Sequence, residues 1–452
     1  MTRLECEDYV YASFLNAESH LPYDAPDSRK RHPELTRAVL EELSCTPAVV
    51  VTGSKGKGSV AKMIAEIMQT KSRVGLFTSP HLVDFLERFQ VDGSPISSDE
   101  FVSAVEALKP RFDGIAQSLP DSWFISPMGI QAAVALYCFK RRKTEWNVLE
   151  CGKGARFDDV NNVVREYSVI NGVFLEHTRE LGKTLGEIAA DKAMAIQPGQ
   201  RAAFSALQSP EALAPILARA REVSVPLRIY GTDFDASNVE WTERGMRFDV
   251  RTGTRTFENL LLPLLGEHQT RNCALALAVC AEIMPDADDG RIRGCLSRLS
   301  WPGRLEVLSN VPVVLLDACI NRNSCNDVLQ SISRLNLKNI SVVVGIPDDK
   351  DFSGVVQEML PVADSLCLAR SDNPHYRFTD VQRQTLAKEG IQVGEALSVD
   401  EFMRAAFARE TPTVVLGTTA IVSEVKKWLI RNGAGKSALQ GNQDISAQVE
   451  ST

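Results

Sequence analysis

Residues 49–61 read Val-Val-Val-Thr-Gly-Ser-Lys-Gly-Lys-Gly-Ser-Val-Ala, an apolar run followed by a glycine-rich loop that carries lysines. The common phosphate-binding loop has four residues between its first glycine and the Gly-Lys pair, and Ser or Thr directly after the lysine. Here two residues separate Gly53 from Gly56, and a further glycine separates Lys57 from Ser59. Such a loop between a strand and a helix offers backbone N–H groups to phosphates. The stretch predicts a phosphate site of a less common type, and an ordinary tight turn is the alternative.

The composition is that of an ordinary folded protein acting on small molecules. Of 452 residues, 44% are hydrophobic and 24% are charged, enough for about two or three domains. The net charge of −8 gives no reason to expect nucleic acid, because phosphate backbones are bound by clustered Lys and Arg. No apolar run reaches the ~20 residues of a membrane helix. The ten cysteines include no Cys-x-x-Cys pair and no leader is recognisable, so free thiols and a cytoplasmic location are expected.

Short apolar runs alternate with amphipathic stretches, which is typical of an α/β protein with a parallel sheet. In the first half, strands are predicted at 46–52, 73–78, 145–151, 167–174 and 201–206. The stretch 226–263 has the pattern of β-strands added to that sheet, and a helix is predicted at 267–283.

A second alternation begins after Pro302 and Gly303, which interrupt helical periodicity. Further strands are predicted there at 311–318, 339–346, 364–370 and 412–418. The predicted organisation is a domain carrying the loop, a linker, a smaller nucleotide-fold-like domain and a disordered tail, at 1–298, 299–310, 311–432 and 433–452.

Polar motifs follow three other predicted strands. Ser79 stands in LFTSPHLVDFLERFQVDGSPIS (76–97), Glu150 in LECGKGARFDDVNNV (149–163) and His177 in VFLEHTRELGKTLGEIAADKAMAIQPG (173–199). Parallel sheets gather ligands at the carboxyl ends of their strands, so these side chains are expected near the loop.

Together these motifs resemble the folylpolyglutamate synthase and dihydrofolate synthase branch of the Mur-ligase superfamily. The loop of that family reads Gly-Thr-Asn-Gly-Lys-Gly-Ser, which accounts for the unusual spacing. The likeness extends over residues 35–430 and includes LLGEHQTRN (264–272) and WPGRLE (301–306). It implies a Mur-ligase-like α/β fold, in which a P-loop ATPase domain with a parallel sheet precedes a smaller Rossmann-like C-terminal domain.

The resemblance also implies an ATP-dependent ligase that joins a carboxylic acid to an amino acid, glutamate by default, through an acyl phosphate. Because two anions must meet, two Mg²⁺ ions and basic side chains would supply positive charge. Asn272 would bind adenine, and Asp317 would bind the ribose or serve only as a strand-end carboxylate. The phosphates would contact the loop residues Gly53, Ser54, Gly56, Lys57, Gly58 and Ser59.

The same likeness assigns the metal and transfer groups. Ser79 and Glu150 would bind the first Mg²⁺, for which hard oxygen ligands are suited. His177 would serve the second ion, or would merely cap a loop. Lys192 stands at the family's carbamylated lysine, and the alternative is a solvated helix lysine. Arg304 would reach the γ-phosphate from the linker.

The sequence departs from the family pattern more at positions expected to contact the acid than at positions expected to bind the nucleotide. Met128 stands where an aromatic residue can stack on pterin, and a flexible thioether is a poor substitute for a flat ring. Asp158, which would face a pterin, is kept, but Asp159 occupies a position that is usually small. Lys55 replaces the Asn of the loop and Ile320 replaces a histidine. We expect the same reaction on a different acid, and folate is the alternative.

Other expected contacts concern the two substrates. Arg156 and Asp158 are expected on the acid side. Arg322, His375 and Arg377 are candidates for binding the amino acid's carboxylate, or are surface charges. The sequence does not indicate an oligomeric state. Two other classes of function stay open. One is a catalytically weakened ATP-binding partner or regulator, which the loss of the family's histidine at Ile320 favours. The other is a small-molecule kinase.

Overall fold

The computed structural model describes residues 1–21, 26–310, 312–373, 376 and 378–432. The chain divides into two compact units. The first comprises Met1–Ser237, Asp249–Glu258 and Arg271–Leu296, and the second comprises Asn238–Phe248, Asn259–Thr270 and Ser297–Thr452. The domain bounds given above stay a prediction, and the predicted tail at 433–452 lies outside the described residues.

The first unit is built on an eight-stranded sheet. Its strands are β1 (Ala48–Thr52), β2 (Val74–Phe77), β3 (Phe89–Val91), β4 (Ser94–Pro95), β5 (Trp146–Glu150), β6 (Tyr167–Ile170), β7 (Ala202–Ser205) and β8 (Leu227–Ile229). Their order is β4-β3-β2-β5-β1-β6-β7-β8, and only β3 and β4 run antiparallel to their neighbours. All five residues of β1 are buried, as expected of a valine-rich strand covered on both faces.

Helices lie before, between and after these strands in the chain. They are α1 (Arg3–Glu18), α2 (Asp27–Lys30), α3 (Glu34–Leu43), α4 (Lys57–Met68), α5 (Ser98–Ala116), α6 (Pro127–Arg141), α7 (Leu185–Ala193), α8 (Pro210–Glu222), α9 (Glu267–Ile283) and α10 (Asp289–Leu296). Side-chain caps fix where several begin: Ser97 and Glu100 form a capping box for α5, and Thr184 and Glu187 form one for α7. The predicted helix at 267–283 is confirmed by α9.

The strands predicted to extend the sheet behave differently. Only β8 joins it, and β9 (Asp235–Thr242), β10 (Gly245–Arg251) and β11 (Thr256–Leu262) form a separate sheet of order β11-β10-β9. The prediction for 226–263 was therefore wrong beyond β8. The reason lies in the burial pattern, because β10 largely alternates buried and exposed side chains and β9 has no buried residue, unlike strands covered on both faces.

The second unit contains a five-stranded sheet. Its elements are β12 (Glu306–Asn310), β13 (Val313–Asp317), α11 (Arg322–Arg334), β14 (Ile340–Gly345), α12 (Phe352–Met359), β15 (Ala363–Leu368), α13 (Asp380–Lys388), α14 (Val399–Arg409), β16 (Thr413–Gly417) and α15 (Thr419–Arg431). The order is β12-β13-β16-β14-β15, and β12 alone is antiparallel. Residues 306–310, predicted as linker, are thus an edge strand, since the Pro-Gly break ends before them.

The predicted α/β organisation is confirmed, because every strand predicted outside 226–263 overlaps a strand of the two larger sheets. The β3–β4 hairpin was not predicted. The ten cysteines form no disulfide, and seven of them are buried. Among the helices of the described ranges, none combines the length and apolar character needed to cross a bilayer.

Candidate functional site

The glycine-rich loop connects β1 to α4, and its first two glycines have backbone angles that other residues rarely adopt. The φ angle is +140° at Gly53 and +78° at Gly56. A Cβ on Gly53 would lie 2.8 Å from the Cβ of Asn171, and one on Gly56 would lie 2.6 Å from Nδ2 of Asn171. Both the backbone and the close approach of Asn171 therefore require glycine at these two positions.

Asn171 directly follows β6 and binds the loop through its side-chain amide. Its Nδ2 donates to the carbonyl oxygen of Lys55 at 2.9 Å and to Oδ1 of Asn272 at 3.0 Å. Asn272, which is buried in α9, is thereby held beside the loop. Sequence reasoning selected Asn272 and missed Asn171, although its position at the end of a strand next to β1 was an available signal.

Two polar side chains lie at the start of α4. Lys57 is half-buried, and its Nζ has a long hydrogen bond of 3.4 Å to the carbonyl oxygen of Ser54. The Oγ of Ser59 is buried and has no hydrogen-bond partner within the part of the chain that the structure describes. Gly58 is buried in the same helical turn. An anion at this helix N-terminus would satisfy the hydroxyl and the lysine together.

Ser54 is buried and is hydrogen-bonded to the segment that follows β6. Its N–H donates to the carbonyl oxygen of Gly172 at 3.0 Å, and its Oγ accepts the N–H of Phe174 at 3.2 Å. These bonds fix the loop against the segment after β6. Ser54 therefore shapes the loop through the protein's own hydrogen bonds.

Lys192 is fully buried in α7, so the alternative of a solvated helix lysine is wrong. Its Nζ donates to the carbonyl oxygen of Gly53 at 2.9 Å and to Oε1 of Glu176 at 3.0 Å. Burial lowers the pKa of the Lys192 amine. Burial alone would raise the pKa of Glu176, but the nearby charges of Lys192 and Lys57 outweigh it and lower that pKa. Glu176 was not selected from the sequence, although it precedes His177.

Glu150 and Ser79 are hydrogen-bonded to each other. Glu150 ends β5 with 4% exposure, and its Oε2 accepts the backbone N–H of Ser79 at 3.0 Å. His177 has a φ angle of +47° and its Nε2 lies 4.0 Å from Oε2 of Glu176. No group of three His, Cys, Asp or Glu side chains arranged for a metal occurs among the residues described. The carboxylate of Glu150 is a hard oxygen donor of the kind that Mg²⁺ prefers.

Among the residues expected to contact the carboxylic acid, Asp158 forms hydrogen bonds within the protein. It is fully buried, and its carboxylate accepts the N–H groups of Gly152, Lys153 and Val160 at 2.9, 3.1 and 3.0 Å. Burial raises its pKa despite these bonds. Met128 lies in the first turn of α6, and its Cε is 3.2 Å from where a Cβ on Gly152 would be.

Asp159 fills the space beside the start of α6. A Cβ on Gly129 would lie 2.5 Å from its Oδ1, which also accepts the hydroxyl of Thr36 at 2.6 Å. Burial raises the pKa of Asp159 to about 6. Arg156, by contrast, is exposed.

A charged cluster missed by sequence reasoning adjoins Asp158. The Nζ of Lys153 lies 3.0 Å from Oδ1 of buried Asp27, and Nη1 of Arg31 lies 3.8 Å from Oδ2 of Asp158. Its members come from short segments with no distinct pattern, so the sequence offered no signal for it.

The remaining predicted residues belong to the second unit. Arg304 donates from Nη1 to the carbonyl oxygen of Gly303 at 3.1 Å, and Asp317 is 4% exposed at the end of β13. Arg322 is exposed, with its Nε 3.3 Å from Oε1 of Glu358. The predicted residues His375 and Arg377 lie outside the described residues.

Comparisons with known proteins give a consistent result. The chain is 28% identical over 397 residues to the dihydrofolate synthase/folylpolyglutamate synthase of Bacillus subtilis, covering 84% of this chain and 89% of that one. It is 26% identical over 396 residues to the folylpolyglutamate synthase of Lacticaseibacillus casei, covering 86% and 90%. A solved Mycobacterium tuberculosis folylpolyglutamate synthase, complexed with ADP and AMPPCP, superimposes with a TM-score of 0.81 at 23% identity, covering 93% and 98%. No protein-family model matches the chain.

Proposed function

Because the chain belongs to the folylpolyglutamate synthase and dihydrofolate synthase family, with its Mur-ligase fold, we propose that it catalyses ATP-dependent amide formation between a carboxylic acid and an amino acid, glutamate by default. A carboxylate oxygen of the acid attacks the γ-phosphorus and ADP leaves. The amine then attacks the acyl carbon, loses a proton and expels phosphate. The observation that carries this proposal is the loop, where the buried Ser59 hydroxyl lacks a partner among the described residues beside Lys57.

The nucleotide phosphates contact the two polar side chains at the start of α4 that make few hydrogen bonds within the described protein. Lys57 contacts the β- and γ-phosphates, and Ser59 donates to a phosphate oxygen. The left-handed Gly56 lets the backbone approach the phosphates closely, because no side chain intervenes. Asn272, held by Asn171, hydrogen-bonds adenine.

Two Mg²⁺ ions fit the donor set of the site. Ser79 and Glu150 would supply hydroxyl and carboxylate oxygens for the first, and His177 would serve the second. When bound, Mg²⁺ reduces the repulsion between the carboxylate and the γ-phosphate. Glu150 is already oriented by its hydrogen bond from the Ser79 N–H.

Lys192 connects the loop to Glu176 and is the site of a carbamate. Carbamate formation would need the neutral amine, towards which burial shifts Lys192 by lowering its pKa, and would replace the ion pair with Glu176. Arg304 stabilises negative charge on the phosphoryl group in transit. Arg322 binds the carboxylate of the amino acid in exchange for its ion pair with Glu358.

The acid is other than a folate. Three backbone N–H groups already occupy the carboxylate of Asp158, which reduces its capacity to recognise a pterin edge. Asp159 takes up space against Gly129, and Met128 offers no ring for stacking. An acid smaller than a pteridine suits these side chains.

The test is an assay of ADP release with a panel of acids, each offered with each amino acid, followed by mass spectrometry of the condensed product. The panel includes dihydropteroate, a reduced folate and simple aromatic and hydroxy acids. We expect turnover only with both substrates present, and with an acid that is not a folate. Efficient condensation of dihydropteroate or folate would overturn the assignment of the acid.

The same assay separates the other classes of function. ADP release with the acid alone and a stable phosphate ester would indicate a kinase, whereas hydroxylamine trapping of an acyl phosphate excludes it. ATP binding without any turnover would indicate a regulator. Glu150→Gln should lower kcat at least about 100-fold if it holds a metal ion. Glu166→Gln is the matched control, because Glu166 lies just before the amino end of β6, opposite the strand ends that carry the site, and pairs with exposed Arg201.

A further inference from the structure

The turn that carries Arg304 has an unusual backbone on both sides of that residue. The φ angle is +75° at Gly303 and +46° at Leu305. Leucine rarely adopts the left-handed conformation, because its Cβ approaches the following carbonyl oxygen. Leu305 is also buried. The surrounding structure must therefore hold this turn in place.

On one side, the turn is held by a partly buried ion pair. The Oε2 of Glu306 accepts the N–H of Gly303 at 2.6 Å. The Nζ of Lys426, in α15, donates to both carboxylate oxygens of Glu306 at 2.7 and 2.9 Å. Lys426 is buried and Glu306 is partly exposed, so solvent screens this pair less than a pair on the open surface. The lysine thus fixes Glu306 in the rotamer that accepts the Gly303 N–H.

On the other side, the turn is held by Asp317. Its Oδ2 accepts the N–H of Leu305 at 2.9 Å, and its side chain is buried at the end of β13. The peptide N–H groups before and after Arg304 are therefore both bound by carboxylates. The Arg304 guanidinium can still donate a hydrogen bond, because its buried Nε lacks a partner among the described side chains and backbone.

We infer that Asp317, Glu306 and Lys426, which we name the Arg304 clamp, are positioning residues that set the direction of the Arg304 guanidinium. The inference rests on the proposed role of Arg304 in phosphoryl transfer. None of the three needs to touch the substrate, since each acts through the backbone of the turn. Asp317 accordingly supports the turn, which differs from the ribose contact that the family resemblance implies.

The test begins with Lys426→Met in the full-length chain. We expect kcat to fall about tenfold or more while the KM for ATP stays within about twofold, because a displaced arginine stabilises the transition state less and binds the ground state little. Lys426→Arg should restore most of kcat, since it preserves the charge. Lys427→Met is the matched control, as it removes the same group from the next position of α15.

A double-mutant cycle separates positioning from general stabilisation. If Lys426 acts through Arg304, Lys426→Met should cause no further loss of kcat in an Arg304→Ala background. An equal loss in both backgrounds would overturn the inference, as would an unchanged kcat in an active Lys426→Met enzyme or in Arg304→Ala. Glu306→Gln, which keeps an oxygen for the Gly303 N–H but loses the charge, replaces Lys426→Met if that variant does not fold.

A structural readout keeps this test independent of the proposed function. Crystal structures of the wild type and Lys426→Met should differ in the turn at 303–306. If the wild type shows no acid-dependent ADP release, the proposed function fails, and the turn comparison still decides whether the clamp holds Arg304. An unchanged turn would overturn the inference in either case.

Discussion

Replacing Gly56 by alanine should destabilise the loop and weaken nucleotide binding together. Gly56 has a φ angle of +78°, and the new Cβ would lie 2.6 Å from Nδ2 of Asn171 and 3.2 Å from the amide of Asn272. A contact of 2.6 Å cannot persist, so the Asn171 amide must move. That movement breaks its bonds to the Lys55 carbonyl and to Asn272.

The magnitude follows from two separate costs. A left-handed backbone costs a residue with a Cβ roughly 1–2 kcal/mol. Each of the two Asn171 hydrogen bonds contributes about 0.5–1.5 kcal/mol. Gly56→Ala should therefore lower the free energy of unfolding by roughly 2–5 kcal/mol.

Gly199→Ala provides the control for the backbone cost alone. Gly199 has a φ angle of +82°, and no atom lies within 4 Å of the position of its Cβ. Urea unfolding should show a loss of roughly 1–2 kcal/mol for this variant. Calorimetric titration should show unchanged ADP affinity in Gly199→Ala and at least about tenfold weaker ADP affinity in Gly56→Ala. Equal unfolding losses in the two variants, or unchanged ADP affinity in Gly56→Ala, would refute the role assigned to Asn171.

Three further outcomes are expected. Ser59→Ala should keep or slightly raise the free energy of unfolding, because it removes a buried hydroxyl without a described partner, and should weaken ADP binding about three- to tenfold by calorimetry. Asp159 has a pKa of about 6 in the folded chain against 3.8 ordinarily, so its stabilising contribution is present below about pH 4 and lost as pH rises towards 6. Measured by urea unfolding, the free energy of unfolding of Asp159→Asn should rise by roughly 3 kcal/mol relative to that of the wild type between about pH 4 and pH 6, because about 2 pKa units correspond to 1.36 kcal/mol each. A difference between the two proteins that does not change with pH would contradict the burial argument. Carbon-13 bicarbonate should give a carbamate NMR signal that is absent in Lys192→Arg, and a spectrum without it would exclude the modification.

The strands of both larger sheets could be predicted because each central strand is a short apolar run between polar segments. Val49 to Val51 illustrate this, since they are buried whichever face they occupy. The hairpin of β3 and β4 has strands of only three and two residues, and Ser94 and Pro95 are exposed. Such a short hairpin produces no periodicity that the sequence could reveal.

The loop could be predicted because its requirements are local. Glycines at Gly53 and Gly56 are visible in one short stretch, whereas the residue that makes them necessary, Asn171, lies more than 100 positions away. Glu176 and Lys192 are 16 positions apart, and only the fold makes them an ion pair. Single polar residues whose partners are distant in sequence carry no pattern of their own.

Asp317 shows that a residue implied by a family resemblance can also support the backbone. A carboxylate at the end of a parallel strand is well placed for a ligand, and the sequence allowed either that role or a purely structural one. The structure shows one oxygen bound to the Leu305 N–H, beside a leucine in a left-handed conformation. The bond helps to hold the leucine in this conformation, which is costly without support from the surrounding structure. The acidic residue therefore acts on Arg304 through the chain, and exchanging it for asparagine, which retains the accepting oxygen, should be tolerated far better than exchanging it for alanine.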